Sequence, residues 1–448
     1  MRTGNCPQLF VTLITLTILA GCGGPPPAVE GLPHILLVTV DGLRPDHLGA
    51  YGCPRNTSPF IDRLAREGSI WTRAYTSTLG TTASHATLLS GLYQETSRVA
   101  LDPQAEAKTR TEVPYGLLLL PGTLRQHGYR TAAVTDGGNA SEAFGFDGAF
   151  DDFDDEGGGA VSGAKKLARL VEKGQRRGRP VFAWWQTYEV HPPWPARDDA
   201  GYFTGAVSDF VPTTENLLKA GRLSPEDMQL VLDRYDSAIL RADLALRMLF
   251  AELERIGALE SCIVVLTSAH GETFGEHGRL LARDKLYEEL VHVPLILWGS
   301  GIKAGREIDS LIGSADIPPT LIMRTGLPVP ELMKGRDLYG ISRNTAGSAL
   351  VIQCGDQSYA VFSRWRKLIA WPEAGRRELY DLYHDPDESD NIVRYYPEAV
   401  RPYVDRLAKW KEQYGSSGMV DRAEARFSEE QAARLKHLLG PDAAGAKY

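Results

Sequence analysis

Five stretches of the chain are apolar almost without interruption and close on turn residues: "HILLVTVDG" from His34, "YRTAAVTDGG" from Tyr129, "PVFAWWQT" from Pro180, "CIVVLTSAHG" from Cys262 and "VPLILWGSG" from Val293. Continuous rather than alternating apolarity predicts strands covered on both faces, and therefore a largely parallel sheet. Between these runs lie segments with helix end signals. "SPFIDRLAREG" offers Ser58 as N-cap, Pro59 in the first turn and Gly68 as stop, and the long segment from Ser224 repeats the Ser-Pro start with Asp227 in capping-box position and ends at Gly257. Strand and helix alternate, so the expected class is α/β, three layers with helices on both faces of a large, mostly parallel sheet. After about Asp337 the texture becomes alternating and broken by turns, which predicts a small antiparallel C-terminal subdomain. A capping pattern at Ser428 and Gln431 before "AARLKHLL" predicts a final surface helix.

In a parallel sheet the strand ends that bind ligands gather at the carboxyl edge. Asp41 ends the first run, His191 follows the third shortly after, and His270 follows the fourth. Singly, each reads as a solvated strand end; together they predict one site.

Composition narrows the classes without naming one. The 448 residues are 43% hydrophobic and 24% charged, ordinary for a folded chain, and the net charge of −8 with no visible clusters of Lys and Arg argues against a nucleic-acid surface. The N-terminus is more informative. "MRTGNCPQLFVTLITLTILAGCGG" has a basic start, an apolar stretch from Leu9 to Ala20 too short for a comfortable span, and small residues after it, the layout of a secretory signal. Its end, "LAGC", resembles the bacterial lipobox, which implies cleavage before Cys22, lipidation of that thiol and a Gly/Pro tether, "GGPPPAVEG". Gly23 after the cysteine favours the outer membrane, facing the periplasm. Beyond the lipobox only Cys53, Cys262 and Cys354 remain, an odd number without a CxxC pair, so no disulfide framework is expected.

Six blocks in order resemble the sulfatase-type members of the alkaline-phosphatase superfamily. These are "VDGLRPDHLGAYGCPRNTSPFIDRLAREGSIWTRAYT", "ASHATLLSGLY", "EVHPPW", "TSAHGETFGEHG", "LYEELVHVPLILWGSG" and "ELYDLYHDPDESDN". Together with the N-terminal reading and the change of pattern after Asp337, the resemblance, which runs from about residue 34 to 412, leads to these expected domains: signal peptide 1–21, tether 22–33, catalytic-type domain 34–340, antiparallel subdomain 341–412 and tail 413–448.

The resemblance implies a reaction plan. Asp41 binds a divalent metal (Ca, Mg, Mn or Zn), Thr81 is the nucleophile and a ligand of that ion, and His270 supplies a further ligand. His85 and His191 donate to ester oxygens, while Arg283 and Lys285 bind the ester. A threonine hydroxyl is a feeble nucleophile until a metal or base activates it, and the start of a helix favours an incoming anion. By sequence alone Thr81 serves equally well as a helix cap. Family sulfatases carry at this place a cysteine or serine oxidised to formylglycine, in a motif ending Pro-x-Arg; "TTASH" has Ala83 and His85 there instead. A threonine would give a ketone on oxidation, so the formylglycine route is not expected. Threonine or serine nucleophiles serve the phosphate-cleaving relatives, which moves the substrate toward phosphate esters.

The metal block departs as well. Ala269 stands where the family has a metal-binding aspartate and Ala282 where two-metal relatives have a histidine. Asp46, Asp136, Glu272 and His277 compensate only if the fold brings them close. Two readings follow: a lipid-anchored hydrolase of sulfate or phosphate esters, small or glycan, with a reduced metal site, or a catalytically inactive ligand-binding or scaffold lipoprotein on the same fold. Trp194, in the proline-rich loop after His191, is a candidate platform at the substrate mouth.

Overall fold

The computed structural model describes residues 31–97, 99, 111–114, 116–194, 203, 210–278, 280–282, 285–341, 350–354, 358–415 and 423–424. The expected signal segment, Cys22, Arg283 and the helix expected after Ser428 lie outside the described residues. All five apolar runs are strands of one eight-stranded sheet, ordered Arg306–Ile308, Ser69–Trp71, Leu295–Gly299, Cys262–Thr267, His34–Val40, Val181–Thr187, Arg130–Val134, Asp152–Asp154. The His34–Val40 strand sits between two parallel partners, with Leu37 opposite both Trp184 and Val265. Leu295–Gly299 runs antiparallel to both its neighbours. Its continuous apolarity reflects cover on both faces rather than strand direction, which is why sequence could not tell the two apart.

Side-chain alternation along the central strand divides the core. Leu36, Val38 and Val40 join the helices Pro59–Glu67, Gly159–Gln175 and Pro225–Arg255 on one face, while Ile35 and Leu37 join Thr81–Ser90, Leu119–Gln126 and Ile317–Arg324 on the other. The result is the expected three-layer arrangement.

The helix ends show where local signals hold and where packing overrides them. Ser224 accepts from the Asp227 N–H at 3.1 Å, as expected. Ser58 does not cap its helix: its hydroxyl accepts from the Gly49 N–H and donates to Asp62. Asp243 of the Pro225–Arg255 helix takes over, accepting from the N–H groups of Phe60 at 3.0 Å and Ile61 at 2.7 Å. Burial pushes the Asp243 carboxyl up to about 6 despite those two donors.

Leu350–Cys354, Ser358–Phe362, Arg366–Trp371 and Arg376–Asp381 form a separate antiparallel sheet. The helix Arg401–Tyr414, which the alternating pattern did not announce, covers it with Tyr403, Leu407 and Trp410. Lys367 ties this sheet to the main body. Its fully buried Nζ lies 3.0 Å from Glu288 Oε1 and 2.9 Å from Glu388 Oε1. Burial alone would discharge the lysine, but the two carboxylates outweigh it and hold its pKa above the usual value. Cys53, Cys262 and Cys354 form no disulfide among the described residues.

Two stability predictions follow from these contacts. Lys367→Met strands the buried Glu388 carboxylate and the partly buried Glu288, so it should cost about 3–5 kcal/mol, read as a lowered midpoint in denaturant unfolding. The raised Asp243 pKa means that the folded state holds the proton more tightly than the unfolded chain, so this group adds stability as pH falls through about 6. Asp243→Asn removes that gain, and its deficit against the natural chain should widen by roughly 1–2 kcal/mol between pH 7 and pH 5 in paired urea melts.

Candidate active site

Three strand ends meet at the carboxyl edge through backbone hydrogen bonds. The Asp41 N–H donates to the Thr187 carbonyl and the Gly42 N–H to the His270 carbonyl, each at 3.1 Å. Ser268 Oγ donates to the same His270 carbonyl at 2.6 Å. Gly42 has φ +81°, and a Cβ there would stand 3.3 Å from the Val190 carbonyl oxygen, so glycine lets the chain turn close under the loop that carries His191. From the long helix, Tyr235 donates to the Gly42 carbonyl at 2.6 Å and accepts from the Arg44 N–H at 2.9 Å.

Thr81 is the first residue of the helix Thr81–Ser90, all ten residues of which are buried, and Gly80 precedes it at φ +93°. Its hydroxyl caps nothing; Oγ1 lies 3.4 Å from His270 Nε2. His270 Nδ1 is 2.8 Å from the Gly271 carbonyl, which only accepts, so Nδ1 carries a proton, and in the neutral ring this assigns Nε2, on the Thr81 side, as the acceptor nitrogen. Gly271 is itself fixed, because its N–H donates to the Leu290 carbonyl at 2.8 Å and a Cβ would fall 2.0 Å from the Glu289 carbonyl oxygen. His191 donates from Nδ1 to the Pro192 carbonyl at 2.8 Å, and its ring lies edge-on to Tyr188 and, at 6.3 Å between centroids, to His270. Thr81 and His270 are each 2% exposed and His191 6%, so polar interactions among them are little diluted by water.

His85 lies one helical turn behind Thr81 and is fully buried. Nδ1 donates to the Thr81 carbonyl at 2.8 Å, and Nε2 lies 3.2 Å from both Thr39 Oγ1 and Asp41 Oδ1. This geometry positions the first turn of the helix; the ring faces protein groups rather than an incoming ester. Asp41 is also fully buried, with Oδ2 accepting from Gln186 Nε2 at 3.4 Å and Oδ1 receiving no hydrogen bond among the described residues.

That spare carboxylate oxygen suits a cation, but a hard divalent ion needs several such donors. Among the described residues no group of three or more His, Cys, Asp or Glu converges as a metal site. Ala269 places a methyl group, 0% exposed, where the family plan calls for a carboxylate. The possible substitutes are engaged elsewhere. Asp136 accepts from the Thr187 hydroxyl at 2.7 Å and the Tyr188 N–H at 2.9 Å, and Asp46 takes two donors of Arg44. Glu272 accepts from the Thr273 N–H. His277 stacks on Tyr287 and binds Glu289 at 2.9 Å, which outweighs burial and raises its pKa. Among the described residues the donor set does not fit a divalent ion. Lys285 donates to the His277 carbonyl at 3.3 Å, beside the Tyr287 ring.

Trp194 corrects an expectation. It is 1% exposed, donates to the Val190 carbonyl and packs on Tyr235 and Phe274, so it is core and not a platform. Sequence reasoning also passed over Gln186 and Thr39. The signal was there, since each is a polar residue inside an otherwise apolar strand.

The family model described as Sulfatase matches residues 33–327, and one described as N-sulphoglucosamine sulphohydrolase, C-terminal, matches residues 275–412. Arylsulfatase K of Rattus norvegicus is 28% identical over 195 residues, 40% of this chain and 34% of the relative. The chain thus spans about a third of the length of the curated relatives it matches. A solved 2-O GAG sulfatase superposes with TM-score 0.71 at 18% identity, covering 88% of this chain and 95% of the other. The phosphonate monoester hydrolase of Agrobacterium radiobacter does so with TM-score 0.65 at 20% identity, covering 85% and 96%.

Gly271→Ala should force the Glu289 carbonyl away and unseat the loop carrying His270, lowering stability by more than ~2 kcal/mol. Thermal unfolding of the variant beside the natural chain checks this.

Proposed function

Because this chain belongs to the sulfatase family, we propose that it hydrolyses sulfate or phosphate esters with the Thr81 hydroxyl as nucleophile. The observation that carries the reading is the meeting of Thr81, at the head of a buried helix, with His270 at the carboxyl edge of the sheet. Ligands of open α/β sheets bind at that edge, and the helix start offers N–H groups and a favourable dipole to the anionic end of an ester. Formylglycine plays no part, since Thr81 cannot form the aldehyde. His191, beside His270, is the side chain next in line to meet a non-bridging ester oxygen. Arg283 and Lys285 complete the proposed substrate side.

A small or glycan ester is the expected substrate class; a 2-O GAG sulfatase shares the fold, as does a phosphonate monoester hydrolase, so both chemistries belong in a screen. The family plan includes one divalent ion near Asp41, but the donors among the described residues do not compose such a site and no step here runs through one. The reading also takes the protein as exported and lipid-anchored at Cys22 to the bacterial cell envelope, at the outer membrane and facing the periplasm. The second reading, a ligand-binding protein without turnover, draws on Ala269.

The test is turnover of aryl sulfate, aryl phosphate and aryl phosphonate esters by the purified full chain in detergent. Thr81→Ala should lower kcat/KM at least roughly 1,000-fold while leaving the fold intact by circular dichroism. A folded natural chain that turns over none of these esters, or equal rates with and without Thr81, would favour the binding protein.

A further inference from the structure

Resting on the hydrolase reading, we propose that His270 is the general base for Thr81 and that the pair works without a divalent metal. Three observations carry this. The Gly271 carbonyl assigns a proton to His270 Nδ1, which in the neutral ring leaves Nε2, 3.4 Å from Thr81 Oγ1, as the acceptor. That separation is long for a hydrogen bond, as catalytic contacts often are before substrate draws them in. The orienting carbonyl is held in turn by the close packing of Gly271 on Glu289. Finally, the Nε2 lone pair serves either a hydroxyl proton or a cation, and among the described residues no group of three or more His, Cys, Asp or Glu converges as a cation site: Asp41 keeps one oxygen without a hydrogen bond, but position 269 is a buried alanine.

A nucleophile, a base within reach and a third group orienting that base are the parts of covalent acyl- and phosphoryl-type catalysis in general. In the first step Thr81 Oγ1 bonds to phosphorus or sulfur while Nε2 takes its proton, and the bond to the leaving oxygen breaks. The proton passes to that oxygen and an alcohol departs. In the second step water attacks the Thr81 ester and gives a proton to Nε2, the bond to Oγ1 breaks, and the proton returns to Oγ1 as inorganic phosphate or sulfate leaves. The helix start at Thr81 supplies the N–H groups that face the developing negative charge.

The experiment combines elemental analysis of the full chain with covalent capture by a fluorophosphonate, located by peptide mass spectrometry. Expected are fewer than about 0.1 divalent ions per chain and a label on Thr81 that forms at the same rate with and without chelator. His270→Ala should slow labelling at least ~100-fold, with part of the rate restored by added imidazole, a recovery that a merely structural role for His270 would not show. Labelling and ester turnover that both vanish with chelator and return with a divalent ion would overturn the metal-free assignment and leave the hydrolase reading standing. Unchanged labelling of a folded His270→Ala protein would overturn the base assignment. A folded natural chain with neither label at Thr81 nor turnover of any ester would remove the hydrolase reading, and this inference with it.

Discussion

Two backbone hydrogen bonds at the carboxyl edge hold the molecule's chemistry together: Asp41 N–H to the Thr187 carbonyl and Gly42 N–H to the His270 carbonyl. They continue the ladder of the central strand past its last residue and lock the ends of three strands into one floor. The turn under that floor requires a glycine at 42, and Tyr235 of the long helix ties it from below. Asp41, His191 and His270 are more than 70 residues apart along the chain at their closest, yet they share a site because of this short stretch of backbone.

The polar groups behind the floor are arranged for rigidity. His85 holds the carbonyl of Thr81 with one nitrogen and faces Asp41 and Thr39 with the other, while Gln186 reaches the far side of the Asp41 carboxylate and accepts the Asp136 N–H. A buried polar network of this kind is costly unless its members are satisfied, and it then specifies a single arrangement. Asp41 is the exception, since its Oδ1 accepts no hydrogen bond among the described residues, while the carboxylate that a family metal site would place at 269 is replaced by a buried alanine.

The C-terminal sheet is joined to the rest through charge as well as apolar packing. Lys367 is enclosed between Glu288, which follows directly on Tyr287 in the loop beyond His270, and Glu388. Tyr287 stacks on His277 and donates to Glu378 of the same small sheet, so the loop that carries His270 leans on that sheet through several polar contacts. Disturbing the small sheet therefore bears on the position of His270, even though no side chain from it enters the site among the described residues.

Much of the fold was legible because burial on both faces leaves a direct mark: a strand with no solvent side is apolar almost throughout, and five such runs gave five of the sheet's eight strands. Direction left no such mark, and the antiparallel Leu295–Gly299 strand reads like its parallel neighbours. Local end signals worked where the helix start is exposed, at Ser224, and failed at Ser58, where Asp243 from a distant helix reaches the free N–H groups first. In the site, the motif order marked Asp41, Thr81 and His270 as chemistry, since residue type and sequence context suffice for that. The pairing of Thr81 with His270, the turning of His85 inward and the burial of Trp194 depend on which lone pair or ring edge faces which neighbour. Sequence by itself determined the layers and the cast of residues; tertiary structure alone decided their partners, because hydrogen bonds are set by ångström distances between atoms that the chain brings together only when it folds.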